Sequence, residues 1–169
     1  MAGRMRHPPS TAEPTIAMSA PLNRLHLLQR IDDAYRHYRG QSLAEGLYQG
    51  PEAQRLRWID EQAPFALLAH DASADPRFIY VNAAARGAFG YSEEAFIGLP
   101  SRLSAGPDAQ EDRDAILAAV KQHGYASGYG GIRLTRDGQA FRIVNGELWQ
   151  LQDAQGQALG QAALVWRAE

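Results

Sequence analysis

Few residues in this sequence have the type and spacing that catalysis requires. His70 and Asp71 are adjacent, which suggests an acid–base dyad. Neighbouring residues near a strand end point to opposite faces and rarely pair, so we interpret Asp71 as a turn residue. Gly128, Gly130 and Gly131 resemble a phosphate-binding loop, but the pattern lacks the motif's third glycine and its following helix. We interpret them as points where a strand bends or lets another group approach.

Cofactor chemistry is limited by the residue types present. The sequence contains no cysteine, which excludes disulfides, thiolate metal sites, iron–sulfur clusters and cysteine nucleophiles. His123 is a candidate haem ligand, yet it stands at the end of a predicted helix, where the helix dipole favours a histidine without any ligand. No GxSxG, HExxH or P-loop pattern occurs. We therefore expect no catalytic residue, no cofactor and no metal.

Arg102 is the polar side chain with the strongest claim to a binding role. It lies between Pro100 and Ser104, after a predicted short helix. It either anchors an acidic ligand or donates to the carbonyls at the end of that helix, and its donor geometry favours the second interpretation.

The bulk composition is that of an ordinary globular domain. The chain has 169 residues, of which 45% are hydrophobic, and its formal net charge is −2. That length allows one domain with a substantial core. The small charge provides no general field for nucleic acid or anionic lipid. Because no run is long enough to span a bilayer and no signal-peptide pattern is present, we expect a cytoplasmic protein that does not associate with membranes.

The N-terminal part divides into a tail and a helical extension. Residues 1–20 have no hydrophobic period and are predicted to be disordered. Residues 21–62 are assigned to helices, the first running from Arg24 to about Arg39 between Asn23 and Gly40. This helix carries an apolar stripe, which we expect to pack on a sheet or on a second subunit in a homodimer. The stripe, and the candidate dimer interface, consists of Leu25, Leu28, Ile31, Tyr35 and Tyr38.

The remaining residues, 63–169, are predicted to form an α+β domain. Strands are predicted over 65–69, 78–81, 125–134, 140–151 and 159–167, and helices over 83–89 and 108–123. Asn82 is a predicted helix cap, Asp137-Gly138 a hairpin turn and Asn145-Gly146 a bulge. Strand 78–81 should place Phe78 and Tyr80 on one face. Two strands, a group of helices and a three-strand meander predict helices on one face of an antiparallel sheet.

The central residues resemble a known family. Tyr80-Val81-Asn82 and Gly90-Tyr91-Ser92-Glu93-Glu94 are similar to the core motif of PAS sensor domains. The longer stretch through Gly98 to Ser104 resembles the MEKHLA family, a PAS-like branch, and the resemblance covers about Leu27 to Trp166. It implies a PAS-like fold with a five-stranded antiparallel sheet in the order 2-1-5-4-3, plus the N-terminal helices.

The resemblance implies a sensory or regulatory module rather than an enzyme. Such a module acts by binding a small ligand, by contacting a separate signalling protein, or both. Alternatives are a small-molecule enzyme that uses the same cavity and an interaction protein with a filled core. The flavin adduct of LOV domains and the chromophore of photoactive yellow protein both need a cysteine, so neither is expected. Plant members follow a homeodomain and a zipper, which these residues do not contain, so DNA binding is not implied.

A PAS-like sheet and its helices enclose a volume that is either filled by side chains or occupied by a small ligand. We expect any ligand to be apolar or weakly acidic. The candidate lining residues are Phe89, Ile97, Arg102, Leu103, Leu117, Val120, Tyr129, Leu134, Phe141, Ile143, Leu164 and Trp166.

Overall fold

The computed structural model describes residues 20–169, with side chains from Arg24 onward. The predicted disordered tail therefore lies almost entirely outside the described residues. The helices are α1 (Ala20–Arg39), α2 (Arg55–Glu61), α3 (Ala83–Phe89), α4 (Glu93–Phe96) and α5 (Gln110–His123). The strands are β1 (Ala66–Asp71), β2 (Phe78–Val81), β3 (Tyr125–Leu134), β4 (Ala140–Gln152) and β5 (Ala158–Arg167). Asn23 falls inside α1, so its predicted role as the helix cap is wrong, whereas Gly40 does end the helix in the left-handed conformation.

The five strands form one antiparallel sheet in the order β2-β1-β5-β4-β3. This order confirms the predicted topology. Helices α3, α4 and α5 follow β2 in the chain, and short 3-10 turns at Ser101–Ser104 and Pro107–Ala109 lead into α5. Asn82 and Ser92 cap α3 and α4, as their positions in the sequence predict, because each side chain accepts a backbone N–H three residues later.

Both faces of the sheet are apolar, and each packs against helices. The face toward α3 and α4, which we call the inner face, contains an aromatic group of Phe78, Phe89, Phe96 and Phe141 with ring centroids about 5 Å apart. The outer face packs against α1, whose Leu28, Ile31 and Tyr35 join Trp149, Leu151 and Leu164 in a second cluster. The N-terminal helices therefore cover the side of the sheet that the other helices leave open.

Two bulges set which side chains face which cluster. The register between β4 and β5 shifts between Val144 and Glu147, and Asn145 adopts a positive φ of 53° there. Phe141 consequently faces inward, whereas Glu147 faces α1, although it lies six residues later and strict alternation would place it on the same face. The predicted bulge at Asn145-Gly146 is present.

A second irregularity was not predicted. His70 pairs with Phe78 and Ala69 with Tyr80, so Ile79 is the extra residue in β2. Phe78 therefore joins the inner cluster and Tyr80 the outer one. The expectation that these two aromatics share a face is wrong because strict alternation fails at a bulge.

Asn82 joins β1, α2 and α3 through all four hydrogen-bonding positions of its amide. Its Oδ1 accepts from the backbone N–H groups of Leu67 and Ala85, at 2.9 and 3.0 Å. Its Nδ2 donates to the carbonyls of Ile59 and Phe65, each at 3.0 Å. The side chain is fully buried, so no water replaces these partners.

Polar contacts fix α1 and its following loop in place. The buried Asp32 carboxylate accepts from both terminal nitrogens of Arg55, at 3.2 and 2.7 Å, and from the Leu43 N–H at 2.8 Å. Tyr35 and Tyr125 both donate their hydroxyls to Glu147 on the outer face. Burial, with the Glu147 hydrogen bond, raises the pKa of Tyr125 to about 12, so this tyrosine remains a donor at neutral pH.

None of the helices between residues 20 and 169 combines the length and apolar character needed to cross a bilayer.

Candidate ligand-binding site

A cavity of about 70 Å³ lies between the inner face of the sheet, α5 and the turn at Ser101–Ser104. Such a volume accommodates several water molecules or a small organic molecule. It is far below the roughly 300 Å³ at which pockets for drug-sized ligands begin. The wall consists of Leu68, Ala69, His70, Phe78, Phe89, Ser101, Ser104, Arg113, Ile116, Leu117, Tyr129, Arg133, Ile143, Leu148, Gln161, Ala162, Ala163 and Val165.

Two buried arginines are the main charged groups of this wall, most of whose other residues are apolar. Arg113 of α5 is 8% exposed and Arg133 of β3 is 7% exposed. Arg113 donates to the hydroxyl of Ser101 and forms an ion pair of 3.2 Å with Asp114, a carboxylate that is itself mostly exposed to solvent. Burial, and then the neighbouring charge of Arg133, lowers the pKa of Arg113. Two like charges thus share a low-dielectric space.

The contacts of Arg133 within residues 24–169 are neutral. Its guanidinium donates to the hydroxyl of Tyr129 and to the carbonyl of Ile132, and it lies 5.2 Å from the Tyr129 ring centroid. Neither contact supplies a negative charge. A buried cation is normally balanced by an anion, so the cavity has an excess of positive charge.

His70 and Gln161 form the opposite wall, on β1 and β5. The His70 Nδ1 contacts the backbone carbonyl of Asp71 at 2.9 Å, not the Asp71 carboxylate, so the two side chains do not form a dyad. The Asp71 carboxylate instead accepts from Ser73 and from the Arg77 N–H, which is the turn role that the sequence predicts. Burial, with a further contribution from the charge of Arg113, lowers the pKa of His70. His70 is therefore neutral at pH 7.

Four of the twelve predicted lining residues face the cavity, namely Phe89, Leu117, Tyr129 and Ile143. Phe141 is buried beside Phe89 in the aromatic group, and Val120 is buried in α5, but neither reaches the cavity. Leu134 packs near Gly106. Ile97 and Leu103 are 38% and 45% exposed and do not line this cavity.

Leu164 and Trp166 lie on the outer face of the sheet, packed with the α1 cluster. Gln161, Ala163 and Val165 are the β5 residues that face the cavity instead. The sequence does not resolve this choice, because β5 is apolar on both faces and lacks the alternation that would orient it.

Arg102 is at the surface and takes neither of the roles considered from the sequence. Its Nε donates to Asp75 at 3.2 Å, and both side chains are about half exposed. The arginine that donates to a carbonyl at the end of α4 is Arg77, which contacts Gly98 at 2.8 Å. The arginines of the cavity, Arg113 and Arg133, were not predicted.

A sequence signal for Arg113 does exist. It lies three, four and seven residues before Ile116, Leu117 and Val120, so it occupies the buried stripe of α5. A charged residue at such a position requires a polar partner or a ligand. Arg133 has a weaker signal, as a charged residue between Ile132 and Leu134 in a strand.

The stripe predicted to form a dimer interface is covered by the chain's own sheet. Leu28 and Ile31 are fully buried and Tyr35 is 5% exposed, while Leu25 and Tyr38 are partly buried in the same cluster. Of the two expectations for this stripe, the structure shows packing on the sheet. Leu28, Ile31 and Tyr35 are therefore not available for a subunit contact in this conformation.

Among the described residues, no group of three or more His, Asp or Glu side chains is placed to hold a metal ion. His123 is exposed at the end of α5 and does not line the cavity.

Gly146 lies in the β4 bulge, where an added Cβ would be 2.8 Å from the Tyr129 carbonyl oxygen. This glycine therefore permits the close approach of β3 to β4.

A family model and several solved structures resemble this chain. The model of the MEKHLA domain matches residues 25–168. A comparison with curated proteins finds no match.

The structural neighbours are PAS and light-oxygen-voltage domains. The PAS domain of a protein from Colwellia psychrerythraea has a TM-score of 0.60 and 22% identity, over 69% of this chain and 95% of that one. An RNA-binding light-oxygen-voltage receptor has a TM-score of 0.58 and 20% identity, over 71% of this chain and 35% of that one. The dark structure of the Aureochrome1 light-oxygen-voltage domain has a TM-score of 0.53 and 20% identity, over 72% and 88% of the two chains. At these identities the likeness shows the fold alone.

Proposed function

Because the chain belongs to the MEKHLA domain family and has a PAS-like sensory domain fold, we propose that it is a sensory module whose cavity binds a small organic anion. The observation that carries this proposal is the pair of buried arginines, Arg113 and Arg133, without a buried carboxylate among the described residues to balance them. A bound carboxylate supplies that charge and accepts hydrogen bonds in the planar geometry that a guanidinium favours.

The shape of the cavity limits the anion to a small one. Its volume of about 70 Å³ suits an acid of two or three carbons, whose short apolar part contacts Phe89 and Ile143. The best small ligands gain about 1.5 kcal/mol per non-hydrogen atom, so acetate can bind with a Kd no lower than about tens of micromolar. We therefore expect dissociation constants from about tens of micromolar to millimolar, suited to an abundant metabolite.

We infer binding rather than catalysis for this site. His70 is the histidine of the wall, and it contacts a backbone carbonyl rather than a carboxylate. Neither lining serine hydroxyl is paired with His70, because the Ser101 hydroxyl accepts from Arg113 and the Ser104 hydroxyl donates to the Ser101 carbonyl. The wall therefore lacks a nucleophile hydrogen-bonded to a base. We propose that the bound state is passed on by contact with a signalling protein.

The proposal is tested by titrating the full chain with acetate and propionate, and with the neutral amides of the same shape, acetamide and propionamide. Chemical-shift changes in the protein's amide NMR spectrum measure the affinities. The acids should bind and the amides should bind at least tenfold more weakly, because a charge-assisted hydrogen bond contributes about 1.5–3 kcal/mol.

Matched arginine variants localise the effect. Arg133→Met should weaken acid binding about tenfold or more, whereas Arg102→Met, which removes a surface arginine paired with Asp75, should leave it unchanged. Equal binding of acids and amides, or equal effects of the two variants, would contradict the proposed anion site. No binding of any acid would favour an interaction protein with a filled core.

A further inference from the structure

The cavity contains two buried hydrogen-bond acceptors that have no partner. Among the described residues, the side-chain nitrogen and oxygen atoms that are buried without a partner are His70 Nε2 and Gln161 Oε1. Both side chains line the cavity. An unpaired buried polar atom costs about 1–3 kcal/mol, so two such atoms side by side indicate a place where another group binds.

The two residues that carry these acceptors lie next to each other on one face of the sheet. His70 and Gln161 are direct partners in the β1–β5 register. Directly opposite residues in an antiparallel pair have Cβ atoms about 4.5–5.5 Å apart and project to the same side. One donor group placed between them can therefore serve either atom or both.

The remaining contacts of each side chain determine that both free atoms are acceptors. The His70 Nδ1 faces the Asp71 carbonyl, which only accepts, so Nδ1 carries the proton and Nε2 has the lone pair. The Gln161 Nε2 donates to the Leu117 carbonyl at 3.1 Å, so the unpartnered atom is the acceptor Oε1. What this wall lacks is a hydrogen-bond donor.

A simple carboxylate does not satisfy this wall, because its oxygens are acceptors. An ammonium group provides donors but adds a positive charge to a cavity that already holds Arg113 and Arg133. A hydroxyl group provides a donor without charge. The two walls together therefore match one small molecule that carries a carboxylate at one end and a hydroxyl near the other.

On this basis we propose that the cavity selects small hydroxycarboxylic acids over the unsubstituted acids and over amino acids of the same size. This inference rests on the proposed function, since it assumes that Arg113 and Arg133 hold the carboxylate. His70 and Gln161 then determine specificity by accepting a hydrogen bond from the hydroxyl group of the ligand. Leu117, whose carbonyl orients Gln161, connects this selection to α5.

The test compares acids that differ by one hydroxyl, glycolate with acetate and lactate with propionate, and adds glycine and alanine as the amino counterparts. All are titrated into the full wild-type chain at pH 7.5 by the same NMR measurement. The hydroxy acids should bind about tenfold more tightly than their parent acids, and the amino acids more weakly than either. This comparison needs no variant, so it does not depend on a mutant that folds.

Two variants then assign the preference to the wall. Gln161→Leu removes the free acceptor and should reduce the hydroxy-acid preference to less than threefold. Gln150→Leu is the matched control, because Gln150 pairs with Gln161 in the neighbouring strand and also donates to an α5 carbonyl, that of Lys121. Gln150 borders a neighbouring surface pocket that His70 and Gln161 also line, but not the cavity, so this variant tests whether the preference arises in the cavity. It should keep the full preference.

The outcomes separate the two proposals. If acetate and glycolate bind equally, the hydroxyl inference is wrong and the anion site stands, with a retained water between the two acceptors. If no acid binds, the anion site is wrong and the inference falls with it. If Gln161→Leu still prefers hydroxy acids, or if the amino acids bind most tightly, the inference that this wall binds the hydroxyl group is wrong.

Discussion

Replacing Asn82 by alanine should be among the most damaging single changes to this fold. The side chain is fully buried and uses both lone-pair positions and both N–H groups, on partners from β1, α2 and α3. Asn82→Ala leaves four backbone groups without their partner in a site closed to water. At about 0.5–1.5 kcal/mol for each hydrogen bond, the expected loss is about 2–6 kcal/mol.

The assay is urea denaturation followed by tryptophan fluorescence, with the free energy of unfolding taken from the linear extrapolation. The matched control is Ser92→Ala, which removes an exposed helix cap with one hydrogen bond to the Ala95 N–H. Its expected loss is about 1 kcal/mol. Asn82→Ser keeps an oxygen for the Ala85 N–H and should fall between the two.

The order of the three variants is the critical result. If Asn82→Ala costs no more than Ser92→Ala, the four contacts do not act as a buried network and the reasoning is refuted. A loss that exceeds the total stability would appear as an unfolded variant, in which case Asn82→Ser still ranks against the control. A typical domain has about 5–15 kcal/mol of stability, so either variant is within reach of the measurement.

Two further predictions concern buried ionisable groups. Asp32→Ala should cost about 3–5 kcal/mol in urea denaturation because it removes the buried partner of Arg55, whose remaining ion pair is with the exposed carboxylate of Glu52. Replacing Asp32 and Arg55 together by leucine should cost less than that, and an equal or larger loss in the double variant would contradict this account. The lowered pKa of His70 means that the unfolded state takes up the proton more readily, so its contribution to stability is complete above about pH 6.5 and declines as the pH falls below that value. The wild type should therefore lose more stability between pH 7.5 and pH 5.5 than His70→Gln does, and identical pH slopes would show that His70 is not held neutral.

The fold was largely predictable because its signals are local. Caps at Asn82 and Ser92, the stop at Gly124 and the turn at Asp137-Gly138 each follow from the chemistry of one or two residues. The strand order came from the resemblance to a family, since periodicity alone does not specify which strands pair. The end of α1 was also predictable, although its start was not.

The site was less predictable, since it depends on which face each strand presents. Two bulges and a sheet that is apolar on both sides remove the alternation that normally orients a strand, and Leu164 was placed on the wrong side for this reason. Arg102 was a candidate binding residue because it lies two residues after Pro100 in an irregular segment. In the structure it is exposed and forms an ion pair with Asp75 at the surface. Arg113 was not predicted as a site residue because the other residues of its helical stripe are apolar and indicate an ordinary core. A charged residue in that stripe was nevertheless the sequence signal for a polar site.

The packing of α1 on the outer face makes this helix an intramolecular competitor for that surface. Any other chain that uses the face around Trp149 and Leu151 must displace α1, which is tethered through the loop that the Asp32–Arg55 pair closes. A short tether corresponds to an effective concentration in the millimolar range. A partner present at micromolar concentration must therefore bind the uncovered face about a thousandfold more tightly than α1 does. Changes that weaken the packing of α1 therefore affect binding of a partner as strongly as changes to the face itself.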